Sequence, residues 1–297
     1  MAIFRTTLPT LPEISRSGTD HFAIGTLPEL LDSVAGMTGL GRRYAEERAR
    51  DGDWAGGLGF QGSIDKCRAG DLSGVAKSDA LLTRYEALAP VTRKMRTIAS
   101  VAGGCPNVGA YLAGSPMAMR RRQRMMDEAG PLAIIVDTVC SAGVSHPQLE
   151  IRGAAILALV RLLSLSRPVA LYVGCSMAGG DSRTQVAHAY AQIDTSPLDL
   201  ARSAFVLSSP AFCRGLLYGY GGFLTGASSP YVQWPYSGDG EPMRKHAHKI
   251  LGRAIDGEEF LFVPGAHLNH KNITQPDVWL ADMLKEYGAR ASDDEAA

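Results

Sequence analysis

The run PLAIIVDTVCSAG, residues 131–143, carries the strongest structural signal in the chain. Apolar residues rich in β-branched side chains lead up to Asp137, and glycines bracket the run, which is typical of a fully buried strand. The next stretch, 148–166, predicts a strongly apolar helix, and RPVALYVGCSM, residues 167–177, predicts a second buried strand. A strand, a helix and a strand so close in sequence indicate a right-handed parallel crossover.

The alternation of strands and helices continues towards the C-terminus. Further strands are predicted at TQVAHAYAQID, 184–194, and EEFLFVPG, 258–265, with helices starting at Ser196 and Thr274 as N-caps. The predicted fold class is therefore α/β, with a doubly wound, mainly parallel sheet.

The region before the strand at 131–143 has a different character. A short amphipathic helix is predicted over 27–37, a helix pair broken by Pro90 over 78–100, and a Gly- and Pro-punctuated loop after it. We therefore predict three parts: an N-terminal arm and helical region (1–125), an α/β core domain (126–290) and a disordered acidic tail (291–297).

Composition limits the possible partners. Lys plus Arg equals Asp plus Glu at 30 each, so no overall field attracts nucleic acid or membrane, and any nucleic-acid affinity must come from local patches. The five cysteines are widely spaced without a C-x-x-C pair, and no long apolar segment interrupts the chain. These features predict reduced thiols, a cytoplasmic location and no membrane segment.

The order of elements, with Asp137-x-x-x-Ser141 after the first core strand and Asp194-Thr195 after a later one, resembles the von Willebrand factor A family. That family places a metal-binding D-x-S-x-S loop after its first core strand, and here Val139 stands at the middle serine position. The resemblance implies a protein-interaction module, with or without a divalent metal held by Asp137, Ser141 and Asp194.

A second resemblance is carried by Trp54-Ala-Gly-Gly, by the stretch from Pro106-Asn107-Val108 to Pro116, and by Ser141-Ala-Gly-Val. These stretches are similar to a group of proteins encoded by tailed bacteriophages. This resemblance implies a phage-encoded protein in the bacterial cytoplasm and brings no catalytic residues with it.

Side chains at the predicted carboxyl ends of the strands are the first candidate site. Ligands bind there in open α/β sheets, although Asp and Ser residues also cap turns at these positions. The candidates are Asp137, Ser141, Ser145, Asp194 and Thr195. Ser176 in GCSMAGG is the nearest approach to a hydrolase nucleophile, without the elbow glycine in register.

Other cofactor patterns are weaker. The pairs His246 with His248 and His267 with His270 have spacings that suit zinc, but they lack neighbouring Cys or carboxylate ligands, and structural or solvent-exposed roles explain them better. No P-loop or G-x-G-x-x-G motif follows a strand, so no nucleotide cofactor is predicted.

Basic groups and an aromatic, glycine-rich stretch at 216–242, predicted as an irregular loop outside the core, form the second candidate site. Arginines would hold phosphates while aromatic rings stack on bases, as in proteins that bind single-stranded nucleic acid. A solvated face or a subunit interface is the alternative. The predicted binding residues are Arg93, Lys94, Arg96, Arg120, Arg121, Arg122, Arg124, Tyr218, Tyr220, Tyr231, Trp234, Arg244 and Lys245.

The sequence thus predicts a non-catalytic, homo-oligomeric binding protein. Its predicted partner is single-stranded nucleic acid or a phage nucleic-acid-processing assembly such as a transcription complex. The alternatives are the von Willebrand A interaction module and a hydrolase that escapes motif recognition.

Overall fold

The structure is a computed structural model that describes residues 20–50, 52–72, 75–76, 79–80, 83, 95–124, 131–165, 167–179, 185–195, 197–226, 234–235 and 259–288. The strands are β1 Asp20–Thr26, β2 Met95–Ser100, β3 Cys105–Pro106, β4 Met119–Arg124, β5 Leu132–Asp137, β6 Val169–Gly179, β7 Gln185–Ile193, β8 Trp234–Pro235 and β9 Glu259–Val263. The α-helices are α1 Leu27–Ala35, α2 Gly39–Ala49, α3 Gly59–Ala69, α4 Val108–Leu112, α5 His146–Leu163, α6 Leu200–Ser208, α7 Tyr218–Leu224, α8 Lys271–Thr274 and α9 Pro276–Tyr287. A 3₁₀ turn spans Gly52–Ala55, and a π-helical segment spans Ala211–Leu217.

The main sheet has the strand order β1-β7-β6-β5-β9, and β8 pairs with the C-terminal end of β6. Strand β5 is parallel to both β6 and β9, and β1 is parallel to β7. Only β6 and β7 within this row run antiparallel. The predicted α/β class with a mainly parallel sheet is confirmed, as is the strand-helix-strand unit β5-α5-β6.

Strand β5 is the centre of the core, since all six of its residues are buried. Its side chains alternate between the two sheet faces. Ile134 belongs to the large apolar core into which the helices pack, and Ile135 belongs to a smaller cluster with Tyr190 and Phe262 on the other face.

Helix α5 is fixed at its start and along its length by its own sequence. Ser145 and Gln148 form a capping box at its N-terminus. Gly153 lets α6 approach closely, since a Cβ atom there would lie 2.9 Å from the carbonyl oxygen of Leu207.

The N-terminal elements belong to the same core and not to a separate helical region. Strand β1 pairs with β7 along its whole length, and Leu30 and Ile64 are buried in the same cluster as Leu132. The boundary predicted at residue 125 therefore does not separate two packing units. The strand DHFAIGT was missed because a helix follows it without a break, capped by Thr26. The predicted N-terminal arm, the first twenty residues, lies outside the described residues except for Asp20, which begins β1, and the acidic tail lies outside them entirely.

Residues 95–124 differ most from expectation. The sequence predicts a helix and a loop there, but β2, β4 and β3 form a separate antiparallel sheet in that order, with α4 connecting β3 to β4. No described side chain of 95–124 is buried, and none joins the apolar clusters. The apolar spacing that predicts a helix reaching residue 100 is misleading because the six residues of β2 are too few for a helical period to be distinguished from a strand.

Two helix starts also differ from the prediction. Helix α6 is capped by Asp199, whose side chain accepts a hydrogen bond from the Arg202 amide, and not by Ser196. Helix α9 begins after Gln275, and Thr274 instead ends the short α8. None of the helices in the described part of the chain has the length and apolar character needed to span a bilayer.

Candidate functional site

Asp137 ends β5 as a buried acid. Its Oδ1 accepts a hydrogen bond of 2.8 Å from the Val139 amide, whereas its Oδ2 has no hydrogen-bond partner in the part of the chain that the structure describes. Burial raises the pKa of Asp137 to about 7, although the Val139 amide and the nearby Arg152 charge act in the opposite direction. Asp137 is therefore an interior group close to its titration point at neutral pH, and not a rim ligand.

Two buried arginines stabilise the carboxyl edge of the sheet beside Asp137. Arg152 of α5 donates from Nη2 to the carbonyl oxygens of Asp137 at 2.9 Å and Pro264 at 2.7 Å, which links the ends of β5 and β9. Burial lowers the pKa of Arg152 to about 10. Sequence reasoning missed Arg152 because it lies inside an apolar helical run.

Arg214 of the π-helical segment stabilises the loop after β5 by donating hydrogen bonds to backbone carbonyl oxygens. It donates to the carbonyl oxygens of Trp54 at 2.9 Å and Ser141 at 2.8 Å, and its guanidinium lies 4.9 Å from the centre of the Trp54 ring. Ser141 is thus engaged through its backbone, whose amide also donates to Ala266. The chemistry at this edge is structural: cations satisfy carbonyl groups at the ends of strands.

The predicted metal set is not brought together. Strand β7 is antiparallel to β6, so Asp194 follows Ile193 at the level where β6 begins, whereas Asp137 pairs with Gly174. Four residue steps along β6 separate these levels, so the backbones of the two acids are about 13 Å apart along the strand direction. Thr195 lies at the same edge of the sheet as Asp194, where β6 begins, and its hydroxyl donates to the Val169 carbonyl.

No group of three His, Cys, Asp or Glu side chains that could hold a metal occurs among the residues for which positions are described. Of the two histidine pairs, His267 and His270 have ring centres 5.5 Å apart, and His270 Nδ1 is bonded to the Gly265 carbonyl at 2.9 Å. His246 and His248 lie outside the described residues.

A polar group lies on the sheet face opposite the helices. The Ser176 hydroxyl is 2.8 Å from His188 Nδ1 and 3.1 Å from the Tyr190 hydroxyl, and all three side chains are buried. Burial, reinforced by the Asp137 charge, raises the pKa of Tyr190 well above its ordinary value. Sequence reasoning noted Ser176 but missed its partners: the register of the β6-β7 pair places His188 directly opposite Ser176, and Tyr190 two residues along, opposite Gly174.

The predicted stacking role of Tyr218 and Tyr220 is corrected by the structure. The side chains are only 3% and 0% exposed, because 218–224 forms a buried helix and not an irregular loop. The Tyr220 hydroxyl bonds Ser33 Oγ at 2.7 Å, and the Tyr218 ring packs 5.9 Å from the ring of Trp54. Neither ring can contact a nucleic-acid base without opening the core.

The other residues of the predicted nucleic-acid site after position 220 lie apart from this helix or beyond the described chain. Trp234 belongs to β8, where its backbone pairs with Ala178. Tyr231, Arg244 and Lys245 lie outside the described residues, as do Arg93 and Lys94.

Strands β2 and β4 bring Arg96 together with the predicted basic residues at 120–124, and we call this pair of strands the basic ribbon. Arg120, Arg121 and Arg122 are exposed on β4, and within the described chain none of them forms an ion pair or a side-chain hydrogen bond. Arg96 is opposite Gln123 across the ribbon, and Arg124 ends β4. Alternation places Arg120 and Arg122 on one side, about 7 Å apart, and Arg121 on the other.

Comparison with known proteins gives one match. The model of a family described as Domain of unknown function (DUF7192) matches residues 21–288. No curated protein and no solved structure matches the chain.

Proposed function

The chain belongs to the DUF7192 family, and we propose that it is a non-catalytic protein that binds single-stranded nucleic acid through the basic ribbon. The observation that supports this proposal is the row of exposed arginines at 120–122 on a sheet outside the apolar core. Since the chain has no net charge overall, this local row supplies an attraction that the whole molecule lacks.

The geometry of the ribbon suits phosphate contacts. Arginine remains charged at all relevant pH values and forms forked hydrogen bonds to phosphate oxygens. Neutralising carboxylates are absent within 4 Å of Arg120, Arg121 and Arg122 in the described chain, so their charge is available to a ligand. Contacts of this kind are independent of base sequence and strongly dependent on salt.

The test is fluorescence anisotropy with a labelled single-stranded oligonucleotide over a range of salt concentrations. Replacing Arg120 and Arg122 with serine is expected to weaken binding at low salt. The salt slope is expected to become shallower by about 1.4, since each of the two removed phosphate contacts accounts for about 0.7. The matched control replaces two exposed arginines elsewhere, Arg43 and Arg50, and is expected to retain the slope. Absence of binding by the unaltered chain at low salt contradicts the proposal.

A second candidate function, hydrolysis, is supported by the Ser176–His188 hydrogen bond. In this role Ser176 Oγ attacks the substrate and transfers its proton to His188 Nδ1. A fluorophosphonate probe tests it: hydrolysis by Ser176 requires phosphonylation, with loss of fluoride, of the unaltered chain and not of Ser176→Ala. If the unaltered chain is not labelled, hydrolysis by Ser176 is rejected.

We also propose the von Willebrand A type for the α/β body, supported by the β5-α5-β6 crossover and by Asp137 at the end of β5. A metal-free interaction through the loop at Ser141 is the form compatible with a buried Asp137. Calorimetric titration with Mg²⁺ tests this form, because binding heat that disappears in Asp137→Ala would require the metal site after all. The bacteriophage origin, cytoplasmic location and homo-oligomeric state remain predictions from the sequence.

A further inference from the structure

The connection between β3 and β4 is a compact turn at one end of the basic ribbon. It contains α4, capped by the Asn107 side chain, and its ends are joined by a hydrogen bond of 2.8 Å from the Asn107 amide to the Ala118 carbonyl. A second hydrogen bond of 2.9 Å, from the Ser115 amide to the Ala110 carbonyl, fixes the return of the chain. Hydrogen bonds therefore fix the backbone of this turn.

Three large apolar side chains of this turn point to solvent. Val108, Tyr111 and Leu112 are 62%, 73% and 79% exposed. The spacing i, i+3, i+4 places them on one face of the helical turn. We call these three residues the apolar tip. Contiguous exposed apolar groups next to a polar surface are typical of binding sites.

The apolar tip and the arginines are adjacent in the fold. Pro106, just before the tip, pairs with Met119, and Cys105 pairs with Arg120, so β4 leads directly from the tip into Arg120 and Arg121. A ligand that contacts both must combine negative charge with flat apolar surface. A nucleic-acid strand with unstacked bases has this combination, because the phosphates lie along the backbone and each base has a π-face.

We propose that Tyr111 is the base-stacking residue of this protein and that its ligand is single-stranded nucleic acid with unpaired bases at the tip. This inference rests on the proposed function and adds the group that recognises bases, in place of the buried Tyr218 and Tyr220. Leu112 and Val108 support the ring by covering the sides of the stacked base. The arginines bind the phosphates of the strand, and Tyr111 makes the protein bind a strand with bases more tightly than a polyanion without them.

The experiment compares two fluorescein-labelled probes of the same length, oligo(dT) and an abasic oligonucleotide. The unaltered chain is expected to bind oligo(dT) more tightly than the abasic strand. Tyr111→Ala is expected to weaken oligo(dT) binding about tenfold, equivalent to about 1.4 kcal/mol, which lies within the range found for base stacking by alanine substitution. Its binding to the abasic strand is expected to be unchanged. Tyr111→Phe keeps the π-face and is expected to retain oligo(dT) binding.

The outcomes separate this inference from the proposed function. If Tyr111→Ala binds oligo(dT) as tightly as the unaltered chain, whereas replacing Arg120 and Arg122 abolishes binding, the stacking role is overturned and the ribbon proposal stands. If the unaltered chain binds neither probe at low salt, both are overturned. Since Tyr111 is exposed, the variant is expected to keep the thermal unfolding midpoint of the parent.

Self-association is the rival use of an exposed apolar face. Light scattering is therefore measured on the same samples, and the stacking proposal expects the same mass for the parent and Tyr111→Ala. A dimer that dissociates in Tyr111→Ala, with unchanged oligo(dT) affinity, would assign the tip to a second copy of the chain and overturn the proposal.

Discussion

Replacing Asp137 with asparagine is expected to remove a pH dependence of stability that this single buried carboxyl creates. The pKa of Asp137 is about 7 in the folded protein against a reference value of 3.8. As pH rises, the unfolded chain therefore loses its proton before the folded protein does. The free energy of unfolding consequently falls as pH rises from about 4 to about 7, and it levels off above the folded-state pKa.

The magnitude follows from the size of the shift. About three pKa units at 1.36 kcal/mol each amount to about 4 kcal/mol between pH 4 and pH 8. The asparagine side chain of Asp137→Asn would be neutral throughout and would keep an oxygen that accepts the Val139 amide hydrogen bond. Its NH₂ group enters the place of the unpartnered Oδ2, and the cost of burying that group is constant with pH.

Urea unfolding at several pH values between 4.5 and 8 measures the effect. The quantity of interest is the difference between the parent and Asp137→Asn, because other carboxylates contribute equally to both curves. The variant is expected to gain about 3 to 4 kcal/mol relative to the parent between the acidic and alkaline ends of the series. The control, Asp194→Asn, makes the same chemical change at an exposed site. Parallel curves for the parent and Asp137→Asn would refute the argument.

Two further substitutions test the packing. Gly153→Ala is expected to destabilise the protein by about 1–3 kcal/mol, because the new methyl group meets the Leu207 backbone. Gly62→Ala, whose new methyl group meets only Leu58 Cβ at 3.6 Å, is expected to stabilise it by about 0.5–1 kcal/mol. Thermal unfolding of both variants measures the contrast, and equal shifts of the unfolding midpoint would contradict it. Arg214→Met is expected to lower the free energy of unfolding by about 2–4 kcal/mol, since it leaves the carbonyls of Trp54 and Ser141 without their donor. Chemical denaturation measures this loss. A loss below about 0.5 kcal/mol, the size expected of an ordinary surface substitution, would argue against the role of Arg214.

The parts of the fold that were predicted correctly are those encoded by local patterns. Strand β5 is apolar at five consecutive positions before Asp137, and α5 carries its own capping box. The direction of β7 is also encoded in the length of the connection before it. Only residues 180–184 connect β6 to β7, and a parallel return needs a dozen residues or more. An antiparallel pair, and with it the separation of Asp194 from Asp137, follows from that length.

The residues that the sequence did not reveal depend on distant partners. Arg152 has apolar neighbours in the helix, and the partners that accompany its burial, the carbonyl oxygens of Asp137 and Pro264, lie elsewhere in the sequence. Tyr218 and Tyr220 belong to a glycine-rich stretch that predicts an irregular loop, yet close helix packing uses those glycines: a Cβ at Gly219 would overlap the side chain of Ala45. Small residues allow both flexibility and close contact, and local sequence does not separate the two.

The pairing of β1 with β7 has a consequence for synthesis of the chain. Asp20 is in register with Val186, 166 residues later, so the first described strand leaves the ribosome long before its partner exists. At about 5–20 residues per second this interval is roughly 10 to 30 s. Throughout it, β1 and the apolar side of α1 have no sheet edge to join. The nascent protein therefore exposes an apolar N-terminal segment during this interval, and only completion of β7 joins β1 to the sheet as its edge strand.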